Sequence, residues 1–202
     1  TNYEDMFSGA RKQTGAITIL QKLSTLDKSV YQHSINVCSL SVKLAASFGV
    51  SQKTINILGL GAVLHDIGKI STGFNTDEKS DTHRQHPRVG AGMLLGKPYI
   101  PREVLDIILF HEERLDGQGY PAGLKKIDDL FQVVGLCNMF DRLVTLKDVN
   151  PINAMAHVEK TDIPRRADGK AHDLPYDERL VDCLRNLLTE AKILPSQTRG
   201  AA

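Results

Sequence analysis

The chain has 202 residues, 41% of them hydrophobic and 24% charged, with a formal net charge of +1. This is ordinary globular composition, long enough for one domain with a full core. The near-neutral balance argues against broad binding to a nucleic acid polymer or an anionic membrane, while leaving room for a local phosphate site. No apolar run approaches the ~20 residues of a membrane span and no signal peptide opens the chain. The absence of an initiating Met points to a domain excised from a longer protein.

Helical periodicity dominates, without alternating strands, so an all-α single bundle is expected. Ile17, Leu20, Leu23 and Leu26 mark a first helix. Asp27 caps a second, which carries Val30, His33, Val37, Leu44 and Phe48 on one side and stops at Gly49. Ser51 caps a third, with Ile55, Leu58, Ala62 and His65 along one stripe, and its end breaks at Gly68. Ser71 to Gln85 reads as a polar loop, and Pro87 suits the first turn of a short helix through Leu95. Pro101 opens another with Val104, Ile108 and His111, followed by a Gly- and Asp-rich turn from Arg114 to Ile127. Asp128 or Asp129 caps a long helix with Phe131, Val134, Asn138, Asp141 and Thr145 roughly in line. Pro151 begins a short helix, Thr161 to Pro175 reads as polar and mobile, and Asp177 to Leu194 is an amphipathic closing helix. Cys38, Cys137 and Cys183 are far apart, form no CxxC pair and fall in apolar helical patterns. They read as buried thiols of a reducing compartment, so a cytoplasmic chain is expected.

The polar residues on these apolar stripes carry the chemistry. His33, His65 and His111 each lie on the stripe of a different helix, and Asn138 on that of a fourth. Such stripes face the core, where metal sites are built from facing helices. His86 begins a helix and can reach the same point. His65-Asp66 adds a nitrogen and two oxygens, and the carboxylate of Asp66 can bridge two ions. Lys69, one turn on, places a cation where a phosphate could be met. Mixed imidazole and carboxylate ligation suits Fe, Mn, Ni or Zn, and a site of this kind hydrolyses by activating water and clamping a phosphoryl oxygen. His83, His157 and His172 show no partner pattern and read as solvated, with His83 a lid candidate.

The stretch Phe110-His111-Glu112-Glu113-Arg114-Leu115-Asp116-Gly117-Gln118-Gly119-Tyr120-Pro121, with His65-Asp66-Ile67-Gly68-Lys69 and His86-Pro87 upstream, resembles the HD-GYP family of HD metal-dependent phosphohydrolases. The similarity runs from about Thr14 to Leu188, within a single domain over 1–202, and implies part of a longer bacterial signalling protein. It implies hydrolysis of cyclic di-GMP to pGpG or GMP by iron or manganese ions. It places metal ligands at His33, His65, Asp66, His86, His111 and Asn138. His65, Asp66 and Lys69 are then catalytic, with Lys69 on the phosphate. Gly117, Gly119, Tyr120 and Pro121 border the substrate and contribute to contacts with diguanylate cyclase (GGDEF) domains. The bland reading of Gly117 and Gly119 is a tight turn with backbone angles closed to other residues.

Four departures accompany the resemblance, one being Lys147 to Pro151 in place of the family's Arg-Pro-Tyr-Arg-like segment. Phe110 stands where the family has the first of two histidines, Asn138 where it has an aspartate, and Ser29 where three-metal members carry an acid. Two ions at most are therefore expected, one on His33, His65, Asp66 and Asn138, the other on Asp66, His86 and His111. A weakened cyclic di-GMP phosphodiesterase competes with a catalytically silent binding or interaction module, and the retained ligands favour the enzyme. A phosphohydrolase of another nucleotide is the third reading.

Overall fold

The computed structural model describes residues 18, 21, 24–74, 80–160 and 174–195, and these are helical without strands. The elements are α1 (Lys28–Ser47), α2 (Gln52–Leu64), α3 (Lys69–Thr72), α4 (Asp81–Arg84), α5 (His86–Leu94), α6 (Arg102–Phe110) and α7 (Asp129–Asp141). A π-helical segment (Arg142–Leu146), α8 (Pro151–Val158) and α9 (Glu178–Glu190) follow. No described helix is long and apolar enough to cross a membrane. Ile17, Leu20 and Leu23 of the expected first helix lie outside the described residues, as do His172 and most of the Thr161 to Pro175 stretch.

Short polar side chains start these helices by satisfying amide groups that have no partner within the helix. Asp27 Oδ1 accepts from the amides of Ser29 and Val30 at 2.9 and 3.1 Å, and Ser51 Oγ from that of Thr54 at 3.2 Å. Asp128, Asn150 and Asp177 cap α7, α8 and α9 in the same way. The expected loop from Ser71 to Gln85 contains the turn of α4, because Ser80 Oγ accepts from the His83 amide at 3.2 Å. The long helix expected through Thr145 changes to π geometry after Asp141.

Helix α1 packs against α2 and α7, α2 against α6, and α6 against α5 and α7. Val37, Leu44, Leu58, Ala62, Ile107, Ile108, Val134 and Leu136 fill the space between them with no exposed surface. Truncating one of the large ones, such as Leu58→Ala, costs about 2–5 kcal/mol by the lost burial and the cavity left. Helix α9 closes the core with Leu180, Val181, Leu184 and Leu188, the i, i+4 spacing of its apolar face. Phe48, assigned to the α1 stripe, is instead at the helix end and 47% exposed.

One close approach sets up everything that follows. A Cβ at Gly68 would lie 2.0 Å from the His86 carbonyl oxygen and 2.8 Å from the Gly90 amide nitrogen. Only glycine lets the start of α5 press against the end of the His65-Asp66 stretch.

Candidate metal centre

Four helices deliver the imidazoles. His33 lies in the second turn of α1, His65 is the residue after α2, His86 opens α5, and His111 is the residue after α6. Asn138 and Asp141 stand one turn apart on α7. His33, His65, His86 and His111 are fully buried, with Asp66 and Asn138 at 1% and 2% exposure. The sequence-predicted ligands therefore meet in one interior place.

The ring hydrogen bonds determine where the protons sit. His65 Nδ1 donates to the Ala62 carbonyl at 2.7 Å, His86 Nδ1 to that of His83 at 2.6 Å, and His111 Nδ1 to that of Ile108 at 2.8 Å. His33 Nδ1 donates to Asp141 Oδ2 at 2.7 Å. Each neutral ring then turns a lone pair inward on Nε2. Asp66 Oδ2 lies 3.7 and 3.4 Å from Nε2 of His33 and His65, and its Oδ1 lies 3.2 and 3.9 Å from Nε2 of His86 and His111. The two Nε2 atoms of His86 and His111 face each other at 3.2 Å. His65 Nε2 and Asp66 Oδ1 are buried without a hydrogen-bond partner.

Converging lone pairs repel unless a cation lies between them. Donor atoms around one ion, at bonds of about 2.0–2.2 Å, stand about 3 Å apart, close to the spacing seen here. The residues fit metal ions in two adjacent sets, His33, His65 and Asp66 on one side and Asp66, His86 and His111 on the other, with all donor atoms of a set within 4.8 Å. Nδ1 partners of this kind fix ring orientation and raise ligand basicity in metal sites.

Burial pushes the ring pKa of His33 and His111 down, and that of His86 down to about 4, so all three stay neutral and ligand-ready. Burial alone would raise the Asp66 carboxyl, but the Lys69 ammonium and the His65 and His86 rings together hold it well below the usual range. Lys69 is itself buried and donates to Asp66 Oδ2 at 2.5 Å. It also lines a small pocket with Phe74, His83 and Arg142, so it stands between the carboxylate and an adjacent opening.

Two expectations need correction. Phe110 does not face the centre: its ring lies against Phe131, with centroids 5.4 Å apart. The acidic neighbour on the other side of His111 turns inward instead. Glu112 Oε1 lies 3.8 and 4.0 Å from Nε2 of His111 and His86 and accepts from Asn138 Nδ2 at 3.1 Å and Arg142 Nη1 at 2.9 Å. Burial would raise its carboxyl, but Arg142, His111, His86 and Lys69 together hold it far below the usual range. Sequence reasoning gave Glu112 no role; its adjacency to His111 was the available signal. His83 is not solvated either: it is 3% exposed and its ring meets that of His86 edge-on at 5.0 Å. Asn138 behaves as its chemistry implies, turning Oδ1 to His33 Nε2 at 3.0 Å.

The turn after α6 sits at the rim. Glu113 gathers the amides of Ala122, Gly123 and Leu124 at 2.5, 3.2 and 2.8 Å, which closes the loop on itself. Gly117 has φ 72°, as a tight turn requires. Gly119 is needed for space and not for an unusual φ, since a Cβ there would lie 2.4 Å from the Arg114 amide nitrogen. Gly119, Tyr120 and Pro121 join Arg84, Gln85 and Arg88 around an open basin of about 510 Å³. The Arg84 guanidinium lies 4.9 Å over the Tyr120 ring, and that ring is 6.2 Å from His86. Of the predicted substrate-facing residues, Gly119, Tyr120 and Pro121 thus line a basin beside the candidate ligand His86.

The sequence model of the HD domain matches residues 30–152, the span that contains all six candidate ligands. With this donor set and this helical frame, the chain belongs to the HD domain family, in the HD-GYP branch of its phosphohydrolases. A cyclic di-GMP phosphodiesterase of Pseudomonas aeruginosa is 32% identical over 152 residues, covering 70% of this chain and 37% of that protein. A cyclic di-GMP phosphodiesterase of Thermotoga maritima is 32% identical over 158 residues, covering 72% and 41%. An HDG"Y"P protein of Bdellovibrio bacteriovorus has a similar structure, with a TM-score of 0.64 at 30% identity over 78% of this chain and 51% of that one. The chain spans less than half the length of the curated relatives it matches.

Proposed function

We propose that this chain is a metal-dependent phosphodiesterase domain that hydrolyses cyclic di-GMP to pGpG or GMP. The observation that carries the reading is the bridging position of Asp66, whose two oxygens face separate pairs of imidazole lone pairs. His33, His65, Asp66 and Asn138 would hold one ion and Asp66, His86 and His111 the other, with iron or manganese suited to these donors. Ions held there supply Lewis acidity to a phosphoryl oxygen and lower the pKa of water.

The chain's own groups do the rest. Lys69 places positive charge between Asp66 and the neighbouring pocket, where a phosphate oxygen would gain charge in the transition state. Arg84, Arg88 and Tyr120 give the basin beside His86 two cations and an aromatic face, complementary to the phosphates and bases of a dinucleotide. The curated relatives support cyclic di-GMP as the ligand. The Gly117–Pro121 rim is the surface on which a GGDEF domain would dock.

A silent binding module is the second reading, favoured by the amide at Asn138 and by the ion pair that engages Asp66 Oδ2 with Lys69. The test is anaerobic reconstitution with Fe(II) or Mn(II), metal analysis per chain, and chromatography of cyclic di-GMP reactions. Two bound ions with release of pGpG or GMP is the expected result. Binding of cyclic di-GMP without turnover by the loaded protein would select the silent module, and a folded protein that retains no metal would sink the hydrolase.

A further inference from the structure

The turn that carries the rim is anchored from a part of the chain that supplies no candidate ligand. We propose that Lys160 is a positioning residue: its ammonium, delivered from the end of α8, holds Asp116 and so sets Tyr120 beside His86. Its effect on substrate rests on the phosphodiesterase reading above, whereas its hold on the turn is independent of it.

Asp116 is the acidic residue just before Gly117, and its side chain is 2% exposed. Its Oδ1 accepts from the Gln118 amide at 3.0 Å. Its Oδ2 accepts from Arg114 Nη2 at 2.5 Å and from Lys160 Nζ at 3.0 Å. Burial alone would raise this carboxyl, but the Gln118 amide, Lys160 and Arg114 together hold it below the ordinary carboxylate value. Arg114 and Gln118 belong to the turn itself, so they shape it without fixing where it lies. Lys160 is 44 residues away in the chain and ties it to the helical frame. The Leu115 amide donates to the Pro175 carbonyl at 2.9 Å, and Arg88 Nη2 to the Pro121 carbonyl at 3.3 Å. Loss of Lys160 therefore loosens the turn instead of releasing it.

The backbone of Lys160 is a second, independent sign. Its φ is 54°, in the left-handed region that a Cβ disfavours and that glycine most often fills just past a helix end. Such an angle persists where the surroundings over-determine it, and the Lys160 side chain, 9% exposed, is tied down at Asp116. The support behind it is firm. Helix α8 packs against α7, which carries Asn138 and Asp141, and the preceding Glu159 pairs with Arg185 of α9. The end of α8 that bears Lys160 is thus fixed to the frame of the metal centre.

The experiment compares wild type, Lys160→Gly, Lys160→Arg and Asp116→Asn in the whole chain. Lys160→Gly removes the ammonium while suiting the backbone angle, so it separates the ion pair from the helix end. Hydrogen exchange of the amides over 115–120, read by mass spectrometry without nucleotide, should quicken by about tenfold or more in Lys160→Gly and Asp116→Asn. Lys160→Arg keeps the charge and should exchange like wild type. In Mn(II)-loaded protein the KM for cyclic di-GMP should rise about tenfold in Lys160→Gly, with kcat and metal content close to wild type. Unchanged exchange in Lys160→Gly would overturn the assignment and leave Lys160 as a helix-end residue. Faster exchange with an unchanged KM would overturn the link from Lys160 to substrate. If wild type does not turn over cyclic di-GMP, the phosphodiesterase reading fails, and the exchange rates alone decide whether Lys160 holds the turn. If Lys160→Gly does not fold by circular dichroism, Asp116→Asn reads the same pair from the other end with the same outcomes.

Discussion

The donor sets on the two sides of Asp66 use the same imidazole chemistry but are supported differently. On the Oδ2 side, His33 leans on the Asp141 carboxylate, Asn138 offers a neutral oxygen, and Lys69 already donates to Asp66 Oδ2. On the Oδ1 side, His86 and His111 lean only on backbone carbonyls, and the charge comes from Glu112. The first set gains its basicity from behind its ligand, the second from a carboxylate beside its ligands. The sets are therefore expected to fail under different substitutions, although one residue joins them.

That joint gives the largest expected effect. Asp66→Asn takes the bridging charge from both sets, so bound metal should fall toward zero. Hydrolysis of cyclic di-GMP should drop by about a thousandfold or more, the scale of losing a main electrostatic stabiliser. Metal analysis beside the rate measurement checks it, and a variant that keeps both ions would break the idea of a bridge. Next in size, His33→Ala and His86→Ala should each halve the metal content, and the two losses should be complementary. If either variant empties both sets, the sides are not separable.

Asp141→Asn sharpens the comparison further. Replacing the carboxylate behind His33 should weaken the first ion roughly 10–100-fold and leave the second nearly untouched, as read by metal titration. Gly119→Ala tests the second side from the turn. Its Cβ would meet the Glu112 carbonyl oxygen at 2.6 Å, and overpacking of this kind costs about 1–3 kcal/mol. A lower melting temperature together with weaker binding of the second ion is expected.

The last effect is pH-dependent and belongs to the metal-stripped protein. Burial chiefly, with Lys69 helping, pushes His86 down to about 4, against ~6.5 for an exposed ring. Between those values the unfolded chain binds a proton that the folded one refuses, so stability falls as pH falls from about 6.5 to about 4. The loss is about 3 kcal/mol for His86, and His33 and His111 shift in the same direction. Asp66 and Glu112, held low in the folded state, contribute stability above the ordinary carboxylate values near 4 and lose it only below them. Urea midpoints measured with chelator at pH 7, 5.5 and 4.5 follow the first window, and a flat profile would contradict buried neutral rings.

Much of this was legible from one dimension. Capping residues and apolar periodicity marked most helices, since both act within a few residues of chain. The polar residues His33, His65, His111 and Asn138 fell on core-facing stripes, and a buried polar side chain requires a partner, so their convergence followed from periodicity alone. His86 joined them from its place at a helix start, and the resemblance to the HD-GYP family added a substrate-facing role for the rim from Gly117 to Pro121. What local pattern could not decide was direction at the ends of helices. Beyond α6 the periodicity lapses, and the backbone after His111 sends Glu112 inward while Phe110 turns to Phe131. His83 likewise looked solvated in a polar stretch, and is buried because α4 packs its ring on His86. The amino-acid sequence by itself determined the helices and four of the stripes that meet. Only the tertiary structure decided which neighbour of His111 belongs to the centre, because that choice depends on Asn138 and Arg142, more than twenty residues along the chain, presenting donors to one carboxylate oxygen.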